Sequence, residues 1–166
     1  MDAYRRMTEL IESAWKELAG AETGRRDLCL DVVGDVLETG RLVQKDAEPV
    51  VERLVAVALS DELFPVRESA LHAVCGAAMR YELPYRVVEP LADVADGIEP
   101  LLLGYVLAAL GATHDEAALP TVERFLGHPH PGVREEAAHA AEELRWCPES
   151  ATALHRADAA RPGPAH

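Results

Sequence analysis

Two pairs of side chains in this sequence have the types and spacing that chemistry would need. His72 and Cys75 stand three positions apart in the segment Arg67-Glu68-Ser69-Ala70-Leu71-His72-Ala73-Val74-Cys75. On a helix that spacing sets an imidazole beside a thiol, the start of a nucleophilic pair. No glycine-rich turn or helix N-terminus lies close enough to lower the thiol pKa, so Cys29 and Cys75 read as small packing groups instead. Glu135 and His139 stand four apart and share a helical face, and His128-Pro129-His130 offers a second pair of imidazoles. A metal ion needs three or four convergent ligands, and these spacings supply them only two at a time. The expectation is a chain with no catalytic residue, no cofactor and no metal site.

Charge narrows the partners. The 166 residues carry 29 acidic and 16 basic side chains, a formal net charge of −13. The excess runs along the whole length rather than gathering in a tail. Nucleic acid calls for a Lys/Arg surface, and an anionic membrane calls for the same; both are excluded as expected partners. A basic protein fits. The three cysteines, Cys29, Cys75 and Cys147, are odd in number and far apart, which suits a reduced, cytoplasmic protein. The first residues, MDAYRRMTEL, show no apolar signal core.

The elements that would position these side chains are helices. Tyr4, Met7, Ile11, Ala14 and Leu18 repeat at helical spacing before Gly20, which predicts a helix over 2–19. A second follows over 25–38. Asp46 is placed to cap a third, with Pro49 in its first turn. Further helices are expected over 65–80, 84–95, 98–111, 115–126 and 131–145, with Pro90 kinking the fifth. No segment alternates as a half-buried strand does. Aromatic residues make up only 5% of the chain, so the core must be Ala, Leu and Val. Beyond Trp146, which is placed to cap the stack, periodicity is lost. The domain is expected to span 1–146 and to be followed by a disordered tail over 147–166.

An internal repeat organises these helices. Val66 to Ala73 reads VRESALHA and Val133 to Ala140 reads VREEAAHA. The two lie 133 − 66 = 67 positions apart, or two units of about 33 to 34, the period of stacked helical hairpins. The unit between them should begin its matching helix near position 100, where the sequence is PLLLGYVLAALGA.

Leu119-Pro120-x-Val122-x-x-Phe125-Leu126, a proline-containing turn, and Val133-Arg134-x-x-Ala137-Ala138-x-Ala140 together resemble a HEAT repeat. The likeness is to the short HEAT-like type of phycobilisome lyases, and residues 54–77 share it. The resemblance implies an all-α fold, a right-handed α-solenoid of about four HEAT-like hairpins whose second helices line a concave face. It also implies that Arg67 and Arg134, which open second helices, pair with acidic groups of neighbouring turns; Asp61 is available to the first, and Asp115 or Glu116 to the second. HEAT-repeat diiron hydroxylases carry His-Glu pairs, and this chain has none. HEAT-like DNA glycosylases need a basic groove, which this composition does not supply.

The contrast among repeats points to a binding surface. Outward positions should be Glu68, Leu71, His72 and Cys75 on the second unit, and Glu135, Ala138, His139 and Glu142 on the fourth. The same positions of the third unit are Leu102, Tyr105, Val106 and Ala109, on a helix without charge. Either the fourth repeat and the tail cover that helix, or Leu102, Tyr105 and Val106 form an apolar centre rimmed by Glu68, His72, Glu135, Glu136 and His139, the anatomy of a protein interface. The expected function is non-catalytic protein binding, most concretely by an immunity protein or antitoxin that occludes a basic toxin. The alternative is a structural adaptor subunit or an enzyme accessory of the HEAT-like lyase type.

Overall fold

A computed structural model describes residues 2–20 and 22–146, and the expected tail over 147–166 lies outside the described residues, as does Cys147. The described residues form eight α-helices and no strand: α1 (Asp2–Gly20), α2 (Arg26–Glu38), α3 (Gln44–Ser60), α4 (Phe64–Ala78), α5 (Tyr85–Val94), α6 (Pro100–Gly111), α7 (Leu119–Glu123) and α8 (Pro131–Arg145). Short 3-10 turns precede α2 and α7 and follow α5. The chain is all-α, as its periodicity predicts. No helix among the described residues is long and apolar enough to cross a membrane.

Start and stop signals work locally. Prolines occupy the first turn of α4, α6, α7 and α8, where the missing N–H would have had no intrahelical acceptor anyway. Gly40 ends α2 at φ +64° and donates its N–H to Leu37 O at 3.0 Å, the left-handed stop that glycine adopts without a Cβ penalty. Two boundaries differ from expectation. α3 starts at Gln44 rather than at Asp46. The Gln44 side chain is held by Glu82, giving a hydrogen bond to its carbonyl at 2.8 Å and accepting one from its N–H at 3.0 Å, while Asp46 accepts from the Tyr4 hydroxyl instead of capping. α7 is only one turn long, because residues 116–118 form a 3-10 turn capped by Asp115 on the Ala117 N–H at 2.9 Å. Pro90 lies inside α5 on its exposed side, and the helix continues to Val94.

The helices pack as consecutive pairs: α1 on α2, α3 on α4, α5 on α6 and α7 on α8. Even-numbered helices also touch in series, α2 to α4 to α6 to α8, and α3 packs on α5. One aliphatic core runs through all of them, and it buries no polar or charged residue among those described. Trp15 is buried in this core, with the Arg53 guanidinium 4.4 Å above its ring. Trp146 is 62% exposed and covers little of the far end. Small residues let helices approach closely. A Cβ on Gly111 of α6 would stand 2.8 Å from the Ala140 Cα of α8, closer than non-bonded carbon atoms can sit.

Arginines tie each pair to the next, though not to the partners expected from sequence. Arg67 meets Glu99 of the following pair, with Nη1 at 3.0 and 3.1 Å from the two carboxylate oxygens, and its Nε donates to Ala58 O at 3.2 Å. Asp61 is taken by Arg26 from the preceding pair at 2.6 Å and also accepts the Leu63 N–H at 3.0 Å. The Glu99 carboxyl is held below its usual value, first by its own backbone N–H and then by Arg67. Arg134 meets neither Asp115 nor Glu116; it donates to His128 O at 2.8 Å and Pro129 O at 2.9 Å. The turn carbonyls there compensate a cation at a helix N-terminus, a position that is otherwise unfavourable.

Candidate functional site

Core positions set the true register of the three matched helices. Ala70, Leu103 and Ala137 are all buried to 1% or less. Their spacing is 103 − 70 = 33 and then 137 − 103 = 34. Two positions further on, His72, Tyr105 and His139 therefore stand in equivalent places on α4, α6 and α8. Glu68, Leu101 and Glu135 form the row before them, and Cys75, Ala108 and Glu142 the row after.

This register corrects part of the expected surface. Leu102 and Val106 are 0% exposed, as is Ala109, and Leu71 is also core. Their side chains point between helices and cannot form the centre of a contact patch. The open strip of α6 is instead Leu101, Gly104, Tyr105 and Ala108. The physical reason is that α6 is apolar on every side. Its own periodicity carries no polar marker, and a repeat of 34 in place of 33 turns the helix by one residue, about 100°. Of the expected residues, Glu68, His72, Tyr105, Glu135, Glu136 and His139 do reach the surface of the second helices.

Several of these groups sense one another. The His72 ring stands edge-on to Tyr105, with centroids 6.1 Å apart and planes at 88°. The Cys75 thiol donates to Tyr105 O at 3.4 Å. Burial pushes that thiol up to about 12, and the Glu136 carboxylate adds to the shift. Burial thus keeps Cys75 as the thiol rather than the reactive thiolate at neutral pH. Burial also raises the Tyr105 hydroxyl, helped by Glu68 and Cys75. The Glu136 carboxyl is raised above its ordinary value by burial, with His139 pulling it down and Glu143 pushing it up. Glu136 on α8 thus acts on Cys75 of α4 across α6, where Gly104 and Ala108 keep the intervening surface low.

Beside this cluster lies an open depression of about 490 Å³, lined by Glu38, His72, Cys75, Gly76, Met79 and Arg80. Met79 is 81% exposed at its edge. Met79 follows Cys75 by one helical turn, a spacing that marks it in the sequence, and Leu101 rather than Leu102 holds the outward place on α6.

Charge is distributed unevenly over these helices. Asp31, Glu38, Glu68, Glu135, Glu136 and Glu143 take part in no ion pair among the described residues. The arginines of the same helices are engaged elsewhere: Arg26 with Asp61, Arg67 with Glu99, Arg134 with turn carbonyls and Arg145 with Glu123. The second-helix face thus offers carboxylates outside any ion pair around an imidazole–phenol pair, with Arg80 the cation at the Glu38 end of the depression. Among the described residues no three His, Cys, Asp or Glu side chains converge as a metal site would require. The arrangement can accept hydrogen bonds from cationic groups and can present aromatic edges and a thioether to apolar ones.

No known protein-family model matches the chain. No curated protein matches it either.

Proposed function

We propose that the chain is a short right-handed α-solenoid of HEAT-like hairpins that works in the cytoplasm as a non-catalytic protein-binding module. Its second-helix face takes a basic partner. In its most concrete form it is an immunity protein or antitoxin that occludes a basic toxin. The observation that carries the reading is the charge arrangement of α2, α4, α6 and α8. Their carboxylates are left without ion pairs, while their arginines are drawn away to turns and neighbouring helices. Unpaired like charges on one face destabilise a monomer slightly, and a cationic surface relieves that cost on binding. The half-buried Tyr105, set against His72, supplies an amphipathic anchor at the centre of such a contact, and the exposed Met79 lies at the edge of the neighbouring depression.

The test is a titration against lysine- and arginine-rich helical peptides, with charge-matched acidic peptides as controls, over a salt series. The expected result is binding of the basic probes only, with an association rate that falls steeply as salt rises, because exposed charges are screened beyond about 8 Å at physiological ionic strength. Equal binding of both peptide sets, or no salt dependence, overturns the basic-partner reading. The toxin reading has its own test: co-expression with the product of a neighbouring gene that arrests growth should restore growth and yield a co-purifying pair. If growth stays arrested, that narrower assignment fails.

A further inference from the structure

The outer side of the first helical pair exposes apolar surface in one place. Ten large apolar residues are more than a third exposed among those described, and three of them line a single groove: Leu10 at 50%, Leu28 at 54% and Val32 at 40%. Ala14 and Cys29 form the floor of this groove between α1 and α2. The other large exposed side chains, such as Val43, Val94 and Trp146, lie in different parts of the chain and share no such groove with them. Surface of this kind, apolar and open, marks a contact with another molecule.

Charge says what kind of surface covers the groove. α1 and α2 run antiparallel, since Glu17 lies 3.8 Å from Arg25 at one end and Met7 receives the Thr39 hydroxyl at 3.7 Å at the other. Arg6 precedes Leu10 by four positions on α1, which sets it in line with Leu10 and Ser13, and Glu17, which lines the groove, stands one turn after Ser13. Arg25, at the end of the 3-10 turn before α2, precedes Leu28, and on α2 Asp35 follows Val32. The face thus carries plus and minus at one end (Arg25, Glu17) and plus and minus at the other (Arg6, Asp35), with aliphatic residues between. It is locally neutral in a chain of net charge −13. Two copies of so acidic a protein repel one another over most of their surface, and the second-helix face, rich in unpaired carboxylates, is the worst place for them to meet.

We propose that this groove is a homodimer contact in which a second copy of the chain packs α1 and α2 against α1 and α2 across a two-fold axis. A two-fold contact uses the same patch on both chains, so its charges must be self-complementary. With the axis crossing the helices, Arg6 faces the second copy's Glu17 and Arg25 faces its Asp35, each pair occurring twice. With the axis along the helices, Arg6 faces Asp35 and Glu17 faces Arg25. Opposite charges meet in both cases. The second-helix face stays free, so each dimer presents two acidic faces to other proteins. With only three large apolar side chains from each copy at its centre, the contact is weak, with a dissociation constant of about micromolar to millimolar.

Sedimentation of the full chain over a concentration series tests the proposal. The expected result is a monomer–dimer equilibrium, shifted to monomer by Leu28→Glu with the circular dichroism spectrum unchanged. Arg6→Glu should weaken the dimer about tenfold or more. Adding Glu17→Arg should restore it if the axis crosses the helices, and adding Asp35→Arg if the axis runs along them. A chain that stays monomeric to about millimolar concentration, or a dimer indifferent to both Leu28→Glu and Arg6→Glu, overturns it.

Discussion

The His72 imidazole and the Tyr105 ring stand with centroids 6.1 Å apart and planes at 88°, joining α4 to α6 on the surface that the second helices share. Edge-to-face geometry holds both rings without burying either completely. Tyr105 keeps its hydroxyl at the surface beside Glu68, and His72 remains exposed. A phenol and an imidazole have few rotatable bonds, so fixing them in a contact costs little entropy.

Tyr105→Ala should weaken binding of a basic partner by about tenfold or more, near 1.4 kcal/mol. His72→Ala should weaken it less and leave the melting temperature nearly unchanged, because the imidazole is exposed. A binding titration beside thermal melting checks both. If Tyr105→Ala binds as well as the parent chain, the centre of the contact lies elsewhere.

Leu102 and Val106 should behave in the opposite way. Both are fully buried, so Leu102→Ala should cost about 2 to 5 kcal/mol of stability through lost transfer free energy and the cavity left behind. Leu102→Glu should prevent folding, since an unpaired carboxylate would be forced into an aliphatic core. Neither should change affinity in the fraction of Leu102→Ala that stays folded. Chemical denaturation measures the first quantity. A loss below about 1 kcal/mol would mean that α6 packs loosely.

These two residues also show where the sequence stopped being informative. On α4 and α8, charged residues mark the open side and Val66, Ala70, Val133 and Ala137 mark the buried one, so periodicity alone orients the helix. α6 has no charge to break the symmetry, and its rotation depends on whether the repeat is 33 or 34 residues. Only the packing of Leu103 between its neighbours decides that. Ion pairs were harder still. Arg67 reaches Glu99, 32 residues away, while the nearer Asp61 is claimed by Arg26; which carboxylate an arginine meets depends on how successive helical pairs are stacked. The expected helices of the described region all form, with α7 the most shortened, because helix starts and stops are written in Pro, Gly and apolar spacing. Glu68, His72, Glu135, Glu136 and His139 reach the surface because polarity marks them, whereas Tyr105 reaches it on a helix with no such marker.

Cys75 should resist alkylation. Its thiol is pushed up to about 12 by burial, so the reactive thiolate is scarce at neutral pH. Iodoacetamide at pH 8 should modify it far more slowly than a free thiol of ordinary pKa, about 8.5. The folded state holds this proton more tightly than the unfolded chain does. The associated stability is fully present below about pH 8.5 and is lost as pH rises from there through about 12. A denaturation series from pH 8 to 11 should show Cys75→Ser losing less stability with pH than the parent chain. Rapid modification of Cys75 at pH 8, read by mass spectrometry after proteolysis, would show that the groove between α4 and α6 opens.

Glu136 joins stability to function. Burial raises its carboxyl above the ordinary value, and Glu143 works in the same direction against the pull of His139. A raised carboxyl means that folding favours the protonated form. Its contribution is favourable below the unfolded pKa of about 4.3 and disappears as pH rises through the folded value. At pH 7 the ionised group is a net cost to the free protein. Glu136→Gln removes the charge and keeps the shape, so it should leave the melting temperature at pH 7 unchanged or slightly higher, and the gain should vanish near pH 4. If the second-helix face receives a basic partner, the same change should reduce affinity by about three- to tenfold, because a cation brought against Glu136 would have restored the charged form to a favourable setting. A partly desolvated carboxylate that costs stability while adding affinity is the trade-off expected where a surface is shaped for binding rather than for the fold. Melting curves at pH 4 and pH 7, set beside titrations with a basic helical peptide, separate the two effects. A lower melting temperature at pH 7 would make Glu136 a structural residue, and affinity equal to the parent chain would remove it from the contact.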